Sequence, residues 1–302
     1  MKKILLSAVL IGSLFAQEKN FVEIGAGFIN SKDNFSTNGS TNISSLDSAS
    51  DENEGIALVD FYYGYELSED STIYASIVLG QMSLGTTLSS DMGSFDMGLT
   101  TGLGEEAWQN PFSTNTNRAT TDVSEVGAYL GYGFSLAKAH HAQLMYQYSV
   151  RSYDSQTVEA SLNAEGSRHI ISLENTYTPE FGKGQFTYLF NTTLENYDAK
   201  GDASTYDSLM LEFGINMALS EDLSLTLLAG LGNKEYDKEN PNFGKTVDAD
   251  LSSFVAVLNW EKPFGYDNFY STLKAGHQEE DANVSFYDKE NTFTLLSVGY
   301  RF

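Results

Sequence analysis

The chain ends on Thr294-Leu295-Leu296-Ser297-Val298-Gly299-Tyr300-Arg301-Phe302, and this stretch decides the fold. Along an extended segment, successive side chains point to opposite faces. Leu296, Val298, Tyr300 and Phe302 therefore share one face, while Ser297, Gly299 and Arg301 share the other. A strand with one apolar, aromatic face and one small or polar face suits a wall that has lipid on one side and water on the other.

The same alternation recurs upstream, beginning at Phe21. Residues 21–29 set Val22, Ile24, Ala26 and Phe28 against Glu23, Gly25 and Gly27. Residues 57–67 set Ala57, Val59, Phe61, Tyr63 and Tyr65 against Asp60, Tyr62, Gly64 and Glu66. Further apolar faces begin at Ile73, Val126, Ala142, Ile171, Phe186, Leu209, Leu223, Phe254 and Phe269. With the terminal strand the count is about twelve, an even number as single-chain bacterial barrels use. Short links near 68–71, 135–141, 178–184, 220–222 and 261–268 alternate with mostly longer ones at 30–54, 85–122, 152–168, 198–207, 233–250 and 278–290. Tyr63, Tyr65, Tyr132, Phe134, Tyr177, Trp260, Phe269, Tyr300 and Phe302 gather mostly at the short-turn ends, where an interfacial girdle belongs. The fold predicted is all-β: a transmembrane antiparallel up-and-down β-barrel of about twelve strands, with short periplasmic turns and long external loops. A soluble β-sandwich also has alternating strands, but it would not carry a continuous wall of apolar faces.

At the other end, Lys2 and Lys3 precede an apolar run from Ile4 to Phe15, followed by Ala16. That run falls short of the roughly 20 residues a spanning helix needs and reads as a secretory signal peptide. Residues 1–16 are thus expected to be a leader and residues 17–302 a single barrel domain, exported across the inner membrane to the outer one. The chain carries 17 basic and 41 acidic residues, a net charge of −24, which excludes a nucleic-acid partner. It has no cysteine, so disulfides, thiolate metal sites and a lipidated N-terminal cysteine are excluded.

Phe302, with an aromatic or aliphatic residue at every second position before it, resembles the closing strand of Gram-negative outer-membrane β-barrel proteins. The leader, the strand pattern and the closing strand together resemble the porin-like members. The resemblance implies handling by the barrel assembly machinery through the strand ending at Phe302, and contact with outer-membrane lipid and lipopolysaccharide. About twelve strands are also used by families similar to the specific channels for acidic oligosaccharides and for nucleosides. Their motifs do not match here, and an acidic oligosaccharide would require a basic lumen.

On this parity the inward face carries Glu23, Asp60, Glu66, Glu125, Glu174, Glu195 and Glu212 against Arg151, Lys274 and Arg301. Carboxylate rings concentrate cations, so the leading expectation is a porin-like channel for passive diffusion of small cationic or neutral solutes through an acidic lumen. The same acids, paired with the bases, would instead fill and stabilise the lumen. Residues 85–122 read as one long loop with apolar content at Phe95, Met97, Leu99, Leu103 and Trp108. Folded into the lumen or over the mouth, it would bring Asp91, Asp96, Glu105 and Glu106 to the entrance. The alternative function is a non-conducting surface protein whose acidic loops bind partners or divalent cations. The loop at 30–54, rich in Ser, Asn and Asp and ending in Asp51, Glu52 and Glu54, reads as solvated. Glu239, Asn242, Asp248 and Asp250 offer oxygen ligands but miss the calcium-loop spacing.

No cofactor, metal site or catalytic set is expected. His140 and His141 fall in a periplasmic turn, and His277 sits beside Glu279 and Glu280 at a loop edge. His169 and Ser172 are three apart and point to opposite faces of one strand, unlike the histidine and serine of outer-membrane phospholipases, which lie two apart.

Overall fold

A computed structural model describes residues 20–180 and 185–302. The expected leader, and part of the turn at 178–184, lie outside the described residues. The strands are β1 (Phe21–Lys32), β2 (Glu52–Ser68), β3 (Ser71–Val78), β4 (Gln81–Ser90), β5 (Gly93–Gly102), β6 (Glu105–Trp108), β7 (Thr120–Ala137) and β8 (His140–Tyr153). They continue with β9 (Gly166–Tyr177), β10 (Phe186–Ala199), β11 (Tyr206–Ala218), β12 (Leu223–Asn240), β13 (Lys245–Glu261), β14 (Phe269–Ala282) and β15 (Lys289–Arg301).

All of them belong to one antiparallel sheet in which β1 pairs with both β2 and β15. β5 pairs with β7 and closes the ring. Ser94 through Thr101 face Gly133 through Val126, and Glu105 then faces Val123. The one-residue slip is taken up at Leu103 and Gly104, where Gly104 has φ +70°. β6 is therefore the upward continuation of β5, and the described residues form a closed barrel of fourteen staves. Closure leaves no unpaired sheet edge in the apolar layer, the condition for crossing lipid with strands.

The count of about twelve needs correction. β4 and β5 occupy much of the stretch read as a loop at 85–122, and residues 109–119 are the one long connection left in it. These two strands are rich in Gly, Ser and Thr, so their apolar face is interrupted: Met82, Leu84 and Leu88 on one, Phe95, Met97 and Leu99 on the other. Their turns are two-residue links at Leu79–Gly80 and Asp91–Met92. An added hairpin contributes one up and one down strand, so the alternation of short and long links cannot reveal it.

Several strands are longer than the 9–11 residues a crossing needs. β7 and β12 each have 18 residues and β13 has 17, and they rise beyond the apolar band at the long-loop end. β3, with 8 residues, turns at Leu79 while β2 continues upward, so the rim dips there; Asp60 Oδ1 accepts the Leu79 N–H at 2.9 Å. At the opposite end, Trp260 packs edge-on to Phe264 at 4.9 Å between centroids and Phe269 packs against Tyr300 at 5.0 Å. This aromatic belt surrounds the short-turn end of the barrel.

Candidate functional site in the barrel interior

The inward face carries an apolar track across β10–β15 and β1, and a ladder of charge across β6–β10. In register, Leu189 of β10 faces Gly214 of β11, which faces Leu228 of β12, which faces Val255 of β13. Val255 leads through Gly276 of β14 to Phe293 of β15, then to Ile29 of β1. Ile29, Leu189, Leu228, Val255, Val257 and Phe293 form one buried cluster, with Ile56 of β2 packed against it. An apolar track thus runs around half of the inner wall. The sequence carries its signal where both faces of a strand are apolar, at Leu227–Leu228, 255–258 and Leu295–Leu296. The expectation of a uniformly polar, acidic lumen missed it.

Opposite lies a ladder of alternating charge. Arg151 of β8 donates to Glu105 Oε1 at 2.5 Å and approaches Glu125 Oε2 at 3.5 Å. Arg168 of β9 donates to Glu195 Oε1 at 2.7 Å and lies 3.9 Å from Glu125 Oε1. Ser149 and Tyr206 hydroxyls donate to Glu125 and Glu195 at 2.6 Å each. Nearer the periplasmic end, Glu23 accepts from Tyr270 at 2.8 Å and from Ser297 at 2.5 Å, and Arg301 makes a two-nitrogen contact with Glu261. Glu212 accepts from Asn191 at 3.5 Å, and Glu174 faces Gln143 in register. Lys274 stands between Val257 and Leu295 in register, and Glu66 is exposed near the lower end of β2.

All ten candidate inward residues lie on the inner face, but most of the acids meet a cation or a neutral donor. The four residues assigned to the entrance are dispersed. Asp91 sits in a turn at the end of the barrel that carries Phe302, Asp96 points inward from β5 and accepts from Tyr74 at 2.8 Å, Glu105 joins the ladder, and Glu106 is exposed on the outer face. Tyr74, Gly85, Gly98 and Tyr129 form one rank across β3, β4, β5 and β7. The two tyrosine hydroxyls meet over the two glycines. A Cβ on Gly98 would lie 2.4 Å from the Leu84 carbonyl oxygen. On the outer side of the same wall, Tyr63, Tyr65, Ile73, Leu84 and Met97 line an apolar groove of about 620 Å³.

The mouth is covered by a second apolar cluster. Val247, Val284, Phe286 and Tyr287 are buried, with Phe35, Ile43, Leu46, Phe112, Tyr236 and Phe243 packed against them. Phe112 comes from the link between β6 and β7, on the far side of the ring from β12–β14, and reaches Phe286 at 5.2 Å and Phe243 at 6.2 Å. Phe35, from the link between β1 and β2, lies 5.0 Å from Tyr287 and 5.6 Å from Phe286. The 30–54 segment read as solvated therefore contributes its apolar residues to a lid. Its polar atoms are tied down as well: Asn34 donates to the Phe286 carbonyl at 3.0 Å, and Arg118 donates to the carbonyls of Asn34 and Ser40. Under the lid, Glu280 lies 3.1 Å from Lys234 and 3.4 Å from Lys289. Burial pushes Asp33 above the ordinary carboxylate range, with Lys289 opposing. Burial likewise lowers Arg118, against the pull of Asp33.

Among the described residues no group of acids and histidines is placed to hold a metal. His169 contacts Tyr146 through a 2.8 Å hydrogen bond, whereas Ser172 is buried on the inner face, so the two do not meet.

A family model matches residues 19–301, nearly the whole barrel. The chain belongs to the DUF2860 family. That family is described as proteins of unknown function. No curated protein matches this DUF2860 chain in sequence. In structure it is similar to the CymD monoaromatic hydrocarbon channel, with a TM-score of 0.53 and 10% identity over 95% of this chain and 89% of that one. It is also similar to a FadL homologue of Pseudomonas aeruginosa, with a TM-score of 0.51 and 9% identity over 94% and 91%. The shared fold is that of outer-membrane β-barrels.

Proposed function

We propose that this protein is an outer-membrane channel for small apolar molecules. The observation that carries the proposal is the inward apolar track through Ile29, Ile56, Leu189, Leu228, Val255, Val257 and Phe293. A pore for hydrated ions gains nothing from such a lining, because water and ions bound there lose their hydrogen-bond partners. An apolar solute exchanges its water contacts for the track at about 25 cal/mol per Å² buried. The likeness to a monoaromatic hydrocarbon channel supports the same class of cargo. The test is uptake of radiolabelled toluene by Gram-negative cells carrying or lacking the protein, since a sugar-covered, charged outer leaflet slows apolar solutes.

Passive diffusion of cations or neutral solutes is the second reading. It is favoured by Asp60, Glu23 and Glu212, inward acids whose hydrogen bonds come from neutral donors. Single-channel recording in a planar bilayer under a salt gradient separates the two. Stable cation-selective steps support the acidic filter. A folded barrel without steps, together with toluene uptake, supports the apolar channel.

A further inference from the structure

Phe35 is held as a ligand would be held. Its ring lies 5.0 Å from Tyr287, 5.6 Å from Phe286 and 6.0 Å from Phe112, and the Lys289 ammonium stands 5.4 Å over its face. Such a surround rewards a ring twice: edge and face contacts suit the aromatic quadrupole, and the cation is drawn to the ring face. The chamber walls come from the barrel rim, with Tyr236 on β12, Val247 on β13, Ala282 on β14, and Phe286 and Tyr287 on the β14–β15 link. Asn240 holds the Tyr287 hydroxyl at 2.7 Å and fixes that ring. The occupants come from two external segments on other parts of the rim, residues 33–51 and 109–119. Those two segments join each other through the Ile43–Thr114 bridge and the N–H of Asn115 and Arg118 to the carbonyls of Ile43 and Thr41, both at 2.7 Å. The walls and the two-segment plug are thus joined to the barrel at different strands.

We propose that the chamber filled by Phe35 and Phe112 is an external binding site for an uncharged single-ring aromatic molecule, and that the two linked segments form a lid whose own phenyl rings occupy the site until that molecule displaces them. The proposal rests on the reading of the protein as a channel for apolar molecules and names the cargo class and its first stop. Because the lid competes with the ligand, removing its ring tightens apparent binding by the inverse of the fraction of time the site is open.

The chain contains two tryptophans and no cysteine, which makes the lid directly observable. Trp108, 4% exposed, donates its indole N–H to the Ser36 carbonyl at 3.0 Å, and Arg118 covers its ring at 4.3 Å, so it reports the junction of the two lid segments. In the full barrel carrying Trp260→Phe, toluene added in detergent is expected to shift Trp108 emission to the red, with methylcyclohexane markedly weaker. Phe35→Ala is expected to bind toluene about tenfold more tightly. Phe35→Leu, which keeps the bulk but not the ring, serves if the alanine variant does not fold. Ser48→Cys with Asp288→Cys spans a 3.4 Å side-chain contact between lid and wall. The oxidised pair should not bind toluene, and reductant should restore binding. Equal toluene affinity in wild type and Phe35→Ala, or saturable binding to the oxidised pair, overturns the proposal. These readouts involve no transport: toluene binding without toluene uptake by cells sinks the channel reading alone, and uptake unaffected by the locked lid sinks the chamber alone.

Discussion

Arg168 and Glu195 meet at 2.7 Å on the inner face of neighbouring strands, and Glu125 stands 3.9 Å from the same guanidinium. The pair is one rung in a ladder that runs from Glu105 to Glu195, in which Arg151 and Arg168 offset most of the charge of Glu105, Glu125 and Glu195. Glu195→Gln removes one charge and leaves Arg168 leaning on Glu125. Both side chains keep some exposure, so the cost falls between the roughly 1 kcal/mol of an exposed pair and the roughly 3 kcal/mol or more of a fully buried one. Urea unfolding of the refolded barrel measures it. Arg168→Met combined with Glu195→Leu is expected to recover part of the loss, because no unpaired charge remains from that rung.

The glycine rank is a packing requirement. Gly98→Val would push a side chain into the Leu84 carbonyl oxygen and the Tyr129 hydroxyl, both 2.4 Å from a Cβ. The clash is expected to cost about 1–3 kcal/mol, as overpacking does. The heat-resistant folded band on a gel should melt earlier than for Gly102→Ala, where the nearest atom is 3.9 Å away.

The fourteen-stave count makes a topological prediction that a twelve-strand barrel reverses. Asp91 and Met92 form a turn at the same end of the barrel as Asn20 and Phe302, while Leu79 and Gly80 form one at the opposite end. An epitope inserted between Asp91 and Met92 is expected to be hidden from antibody in intact cells and reached only after the outer membrane is opened. Surface labelling of that epitope in intact cells would restore the long external loop.

Asp33 makes the lid sensitive to pH. Its carboxyl is raised by burial, accepts the Phe35 N–H at 2.8 Å, and is opposed by Lys289 and Lys234 and reinforced by Glu280. A carboxyl raised in the folded state costs nothing below its ordinary value of 3.8 and costs progressively more as pH climbs through the interval up to its raised value. The lid is therefore expected to loosen from acid toward neutral pH. Asp33→Asn keeps the acceptor and removes the charge, so it should slow protease cutting of residues 33–51 at neutral pH and change nothing near pH 3.

Most of the wall was legible in the sequence because lipid imposes a strict period of two on it. Leu223, Leu225, Leu227, Ala229 and Leu231 cannot be read another way. β4 and β5 were not legible, since Thr86, Ser90 and Thr101 interrupt their lipid-facing rows, Gly85 and Gly98 leave gaps in the inward rows, and the hairpin preserves the parity of the barrel. Inward placement of Glu23, Glu125 and Glu212 followed from the same period, but their partners did not: Arg151 and Asn191 face Glu125 and Glu212 across neighbouring strands only once the hairpin registers are set, and Tyr270 reaches Glu23 only through the pairing of β1 with β15. The lid escaped notice because Phe35, Ile43 and Phe112 are scattered among Ser and Asn, with no period to connect them.

Val257 lies 3% exposed in the middle of the apolar track, with Lys274 beside it in register. The most direct test of the account is radiolabelled toluene uptake by cells carrying wild-type protein, the Val257→Lys variant at equal folded abundance, or no protein. The account predicts faster uptake with wild type and a fall to the protein-free level with Val257→Lys. Uptake that is the same in all three, with stable cation-selective conductance from the purified barrel, would contradict it.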